Sequence, residues 1–168
     1  NILGQSQRKS YMPDLVVRHK KAVKSQTARS SGGSVGVENQ VNTIMLNRTP
    51  TRGVAGPTYK NPPVRAGKTV LLVDDICTEG NSFEAGRAFI DATGARTICL
   101  SWLKTINTDY RAIVRPIPSI DPYRPVTGSG SIATTPHGYS SAIRTAGATT
   151  DLAAIHNRYS SWAWPEGI

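Results

Sequence analysis

One succession of residues, 69–105, restricts the fold more than any other part of the chain. An uninterrupted apolar run, Val70, Leu71, Leu72 and Val73, ends at two carboxylates, Asp74 and Asp75, and the stretch ICTEGNS follows at once. Consecutive apolar residues bounded by polar ones fit a strand buried on both faces, the kind found in parallel sheets that helices cover. In SFEAGRAFIDATGA the apolar residues then recur at helical spacing. Phe83, Ala85, Ala88, Phe89 and Ala92 supply the expected core face, while Glu84, Arg87 and Asp91 remain solvated. Gly94 stops that helix, and RTICLSWLKT reads as a second strand. Strand, loop, helix and strand in this order argue for an α/β unit whose ligand loop lies beyond the carboxyl end of the first strand.

The flanking sequence is less regular. After the break at Pro13, LVVR forms a short strand. RHKKAVKSQTAR is a concentrated basic segment, interrupted by SSGGSVG, and together with the following residues it makes 15–48 a basic mobile-loop region. VENQVNTIML resumes as helix or strand, with Val37, Val41, Ile44 and Met45 as its packed face. Repeated Pro and Gly make residues 49–67 a connector, and residues 116–148 an irregular one with room for short edge strands. In 149–168 a helical pattern returns, capped by Thr149 or Thr150, with Leu152, Ile155 and Tyr159 on one face and Trp162 and Trp164 in a docked tail. A length of 168 residues fits one domain, with room for a truncation upstream.

Two adjacent carboxylates at a strand end can accept hydrogen bonds from neighbouring sugar hydroxyls, or orient a divalent cation through water or a ligand hydroxyl. They can equally be solvent-facing charges that terminate a strand. Thr78, Gly80, Asn81 and Ser82 suit the complementary task of holding a phosphate. A compact turn aims backbone amides inward, hydroxyls add donors, and the following helix contributes an electropositive amino end. The net charge of +9 favours phosphate-bearing ligands or polyanions, so nucleic acid stays open as a partner beside a merely solvated basic surface. Two cysteines, Cys77 and Cys99, make neither a disulfide framework nor a zinc site. So few unpatterned cysteines make a reducing, cytoplasmic compartment the expectation, and with no apolar stretch of membrane-spanning length no membrane partner is expected.

Through VLLVDDICTEGNS, and onward to SWLKT, the chain resembles the type I phosphoribosyltransferase family. The resemblance implies a partial or complete fold of that type, with a mainly parallel central sheet and flanking helices. It also implies that residues 68–105 bind the ribose phosphate of 5-phosphoribosyl 1-pyrophosphate, with Mg2+ as cofactor and an unidentified nitrogen acceptor, within the family's range a nucleobase, as second substrate. Asp74 and Asp75 would contact the ribose hydroxyls, and Thr78, Glu79, Gly80, Asn81 and Ser82 would surround the 5-phosphate. No direct protein ligand to the metal is implied beyond Asp74 and Asp75 acting through water or the sugar. The basic segment is similar to the loop of the competence-associated branch, with Arg18, Gln26 and Asn39 in matching positions. Arg18 and Lys24 are then candidates for binding pyrophosphate, and Lys24 and Arg29 for stabilising its departure.

Two positions depart from the family pattern. Gly36 stands where a basic residue is expected, and Glu79 places a carboxylate in a turn that is often neutral there. A carboxylate facing phosphate would repel it, so Glu79 is expected to point outward while its amide faces the ligand. The family's second pyrophosphate-binding turn is not readable in this chain. A non-catalytic sensor of phosphoribosyl ligands, or a nucleic-acid-processing accessory protein, is the alternative, and a homo-oligomer is open. His19, His137 and His156 are too dispersed for a metal site. Tyr110, Tyr123, Tyr139, Trp162 and Trp164 fit packing better than base stacking.

Overall fold

The computed structural model describes residues 10–23, 35–105, 108–115, 120–127 and 131–138, with 150, 153, 154 and 157 beyond them. In chain order the elements are β1 (Val16–Arg18), α1 (Val37–Val41), β2 (Ile44–Leu46), β3 (Thr69–Cys77), α2 (Asn81–Asp91), β4 (Arg96–Lys104), β5 (Tyr110–Ile113) and β6 (Thr134–His137). The chain divides into two compact units, Asn1–His137 and Gly138–Ile168, and every named element belongs to the first. In the second, the described residues 150, 153, 154 and 157 are helical. The expected docked tail lies outside the described residues.

The fold is α/β, and its centre is the anticipated unit. β3 and β4 pair in parallel, from Thr69 opposite Arg96 to Cys77 opposite Lys104, with α2 as the crossover between them. The other two sheets, β1–β2 and β5–β6, are antiparallel pairs. α2 is the core helix: Phe83, Ala85, Ala88, Phe89 and Ile90 are buried. Sealing Phe89 and Ile90 from water contributes about 1.5–3 kcal/mol each. Leu15, Val37, Val41, Ile44, Leu46, Val64 and Ile113 join the same cluster. VENQVNTIML resolves into both candidate elements, a short helix and a strand, with Val37, Val41 and Ile44 buried as expected. Pro- and Gly-rich residues 49–67 form no strand or helix beyond an isolated bridge between Thr51 and Thr58.

Three expectations need correction. First, β3 does not stop at Asp74 but runs through both aspartates to Cys77. Second, the apolar run is not buried on both faces. Val70 is buried and Leu72 packs against the core, whereas Leu71 and Val73 on β3 and Ile98, Leu100 and Trp102 on β4 are exposed. α2 lies on the inner face alone, where Gly86 brings it so close that an added Cβ would meet Leu72 at 2.7 Å. Third, Glu84 is fully buried rather than solvated, while Ala92 is exposed. The physical reason is pairing. Glu84 accepts the Tyr110 hydroxyl at 2.7 Å and the Ile113 amide at 2.9 Å, with Arg87 at 3.4 Å and Arg115 at 3.9 Å. A carboxylate so supplied with donors can leave water.

Side-chain clamps fix the irregular part. Asp14 accepts the Thr51 amide at 2.8 Å, the Thr51 hydroxyl at 2.9 Å and the Asn47 amide at 3.1 Å. The Thr51 backbone bond is the main reason its carboxyl is held below the ordinary value. Asn39 pairs with both backbone groups of Val23 at 3.1 Å, closing the amino side of the basic segment onto α1. No helix among the described residues is long and apolar enough to cross a membrane.

Candidate functional site

The turn that follows β3 is held from one side through its carbonyls. Thr105 donates its amide to the Cys77 carbonyl at 3.0 Å, and Arg111 donates its amide to the Glu79 carbonyl at 2.8 Å. The Thr78 carbonyl accepts the Lys104 ammonium at 2.6 Å and the Thr108 hydroxyl at 3.2 Å. Lys104 is itself fixed by the Thr105 carbonyl at 3.1 Å and by the Thr108 carbonyl and hydroxyl at 2.7 and 2.8 Å. The Gly80 carbonyl accepts the Glu84 amide at 2.9 Å, the first bond of α2. Since a trans peptide sets its N–H opposite its C=O, the Thr78, Glu79 and Gly80 amides turn away from the groups that hold the Cys77, Thr78 and Glu79 carbonyls, and the Asn81 amide points out of the amino end of α2. The Gly80 amide is directed at the Cys77 sulfur.

Gly80 is required here twice over. Its φ of 76° lies in the left-handed region, and a Cβ would sit 2.1 Å from the Tyr110 ring. It is also the N-cap of α2, and it offers no side chain to occupy the helix's first amides. Those amides, at Asn81, Ser82 and Phe83, have no intrahelical acceptor and give the turn its positive character.

The two aspartates are placed differently. Asp74 continues the inner face of β3, opposite Ser101 in the register, and is half-buried; Asp75 is exposed. Each carboxylate accepts the amide of the next residue, Asp74 from Asp75 at 3.0 Å and Asp75 from Ile76 at 2.7 Å. Burial pushes the Asp74 carboxyl above its ordinary value, opposed by the bond from the Asp75 amide. Successive strand residues point to opposite faces, so the pair does not present one double-carboxylate surface.

A cleft of about 160 Å3 opens beside the turn, lined by Val35, Gly36, Val37, Glu38, Glu79, Asn81, Arg111 and Thr134. Of the expected phosphate-binding residues it includes Glu79 and Asn81, and not Thr78, Gly80 or Ser82. Asn81 bridges its two sides, donating to the Val35 carbonyl at 3.1 Å and to Glu79 at 3.3 Å. Its Oδ1 is buried with no hydrogen-bond partner, an acceptor suited to a ligand hydroxyl. Glu79, expected to point outward, is about one-third exposed at the cleft wall, 3.8 Å from Arg111. Gly36 is the N-cap of α1.

The early candidates are partly accounted for. Arg18 bonds Gln40 at 2.9 Å and the Thr43 hydroxyl, tying β1 to the α1–β2 corner. Lys24, Gln26 and Arg29 lie outside the described residues, as do His156, Tyr139, Trp162 and Trp164. Cys77 and Cys99 are free thiols whose ionisation burial pushes up, so neither is an activated nucleophile. Tyr123 packs against the core with Arg48 over its ring at 5.4 Å.

No family model, curated protein or solved structure matches this chain. Its functional reading therefore rests on its own residues. Sequence reasoning missed Lys104 and Thr108 as the support of the turn, because their role depends on side chains returning to a carbonyl, for which no local pattern exists. Arg111 belongs to no motif that singles it out in the sequence. The charge alternation in YRAIVR marks it as an outward strand position but says nothing of Glu79.

Proposed function

We propose that the protein belongs with the type I phosphoribosyltransferases, and binds 5-phosphoribosyl 1-pyrophosphate for transfer of its ribosyl group to a nitrogen acceptor. The observation that carries this reading is the turn of residues 77–80. It sits at the carboxyl end of a parallel strand, its carbonyls are engaged from behind, and the amino end of an 11-residue helix follows. That arrangement favours a phosphate. Asp74, on the helix side of β3, would meet a ribose hydroxyl, and the Asn81 Oδ1 would accept another donor from the ligand. The finer fold belongs to the same proposal: β3 and β4 would be part of a larger, mainly parallel sheet.

In this reaction the bond from ribose C1 to the pyrophosphate oxygen breaks, a C1–N bond forms, and the nitrogen's proton passes to solvent or a base. The described residues hold no cluster of three or more His, Cys, Asp or Glu that could bind a metal by themselves. Mg2+ would arrive on substrate phosphates, with Asp74 reaching it through water or a hydroxyl, since Mg2+ keeps several waters and needs few carboxylates. When bound, it would screen the charge gathering on the departing pyrophosphate. Lys24 and Arg29 are proposed for the same task from the basic loop, and Arg18 only after releasing Gln40.

The net charge of +9 favours a second reading, an accessory protein that binds nucleic acid without turnover. Incubating the protein with donor, Mg2+ and a panel of nucleobases, and measuring released pyrophosphate, separates the two. Release that depends on one base supports transfer. Salt-sensitive binding to single-stranded DNA with no release supports the accessory role.

A further inference from the structure

Glu79 is the residue that fits a phosphate turn least well, and the structure places a counterweight beside it. Arg111 is held next to Glu79 by two links: its amide donates to the Glu79 carbonyl at 2.8 Å, and its Nε stands 3.8 Å from the Glu79 carboxylate. Among the described residues Glu79 is its ionic partner, met through Nε. Both side chains line the cleft, and Asn81 donates at 3.3 Å to the same Glu79 oxygen, Oε2, that faces Arg111. The pair is half exposed at Arg111, so the guanidinium can turn without breaking a buried contact.

We propose that Arg111 is a ligand-binding residue of this site, and that it and Glu79 work as a unit. With the turn empty, Arg111 neutralises the carboxylate; with a sugar phosphate bound, its terminal nitrogens reach the phosphate oxygens, a geometry the planar guanidinium suits. Affinity for phosphate is then set by both residues together. This inference rests on the phosphate-binding reading of the turn and adds the residue that makes an acidic turn compatible with an anion.

Calorimetric titration of the full chain with ribose 5-phosphate tests it, using wild type, Arg111→Met, Arg111→Lys, Glu79→Gln and the double variant Glu79→Gln/Arg111→Met. Thermal melts of each establish that the fold is kept; Arg111→Lys retains charge should the methionine variant unfold. Arg111→Met should weaken binding by at least about tenfold, because it leaves a bare carboxylate facing the anion. Glu79→Gln alone should bind as well as wild type or better, and the double variant should recover most of the loss. Arg111→Lys should fall between wild type and Arg111→Met. Unchanged affinity in Arg111→Met, or a double variant as weak as Arg111→Met, overturns the inference while leaving the turn as a phosphate site. Absence of binding by folded wild type removes both.

Discussion

Tyr110 donates its hydroxyl hydrogen to Glu84 at 2.7 Å while its ring closes over Gly80, so one side chain joins the buried carboxylate of α2 to the turn before it. Burial, and then the bond to Glu84, push the ionisation of this phenol well above the ordinary tyrosine value. Tyr110→Phe should cost about 1–3 kcal/mol in denaturant unfolding, by leaving one Glu84 oxygen short of a donor. A raised phenol value means the unfolded chain releases its proton first. The stability linked to Tyr110 is therefore complete below about pH 10 and lost as pH rises beyond it. Wild type should lose stability above that pH more steeply than Tyr110→Phe, as read from melts across an alkaline series.

Gly80→Ala should damage both fold and site. The left-handed backbone costs a side chain about 1–2 kcal/mol, and the new methyl must displace the Tyr110 ring. Chemical unfolding should register that loss, and affinity for ribose 5-phosphate should fall by at least about tenfold as the turn shifts. A variant with wild-type stability would show that the ring is not fixed there.

Much of this was legible in the sequence, and the limits have physical causes. Apolar periodicity identified β3, α2 and β4 because each has a face that must leave water. It placed Phe83, Ala85, Ala88 and Phe89 correctly. It failed at Glu84, whose burial is made possible by Tyr110, Ile113 and Arg115, all distant in the chain. It also overstated the burial of Leu71 and Val73, since an apolar run records what a strand is able to bury and not what covers it. At the site, the presence of a small-residue turn between β3 and α2 could be read, but not that Lys104, Thr108 and Arg111 hold it.

The uncovered face of β3–β4 gives a measurable surface property. Leu71, Val73, Ile98, Leu100 and Trp102 are all at least two-fifths exposed, and Trp102 is 79% exposed. A patch of this kind should bind a hydrophobic dye such as ANS in the native state. Leu100→Lys combined with Trp102→Lys should remove most of the dye signal while changing stability by no more than about 0.5 kcal/mol per site. Undiminished dye binding would place the exposed surface elsewhere.

Asp74 should be better for binding than for stability. Because burial raises its carboxyl value, its favourable contribution is complete below the ordinary carboxylate range, about pH 4, and is lost as pH rises through the folded value. At pH 7, Asp74→Asn should be as stable as wild type or about 0.5–1 kcal/mol more so. The advantage should shrink as pH falls toward 4, read from unfolding midpoints at both values.

The central claim is that the β3 strand end and its turn hold a phosphoribosyl donor. Its most direct test is calorimetric titration of folded protein with 5-phosphoribosyl 1-pyrophosphate in the presence of Mg2+, repeated with Asp74→Asn. The account predicts saturable binding to wild type and a loss of at least about tenfold in the variant, with the melting temperature maintained. Folded wild type that takes up no donor, or Asp74→Asn that binds it unchanged, would contradict it.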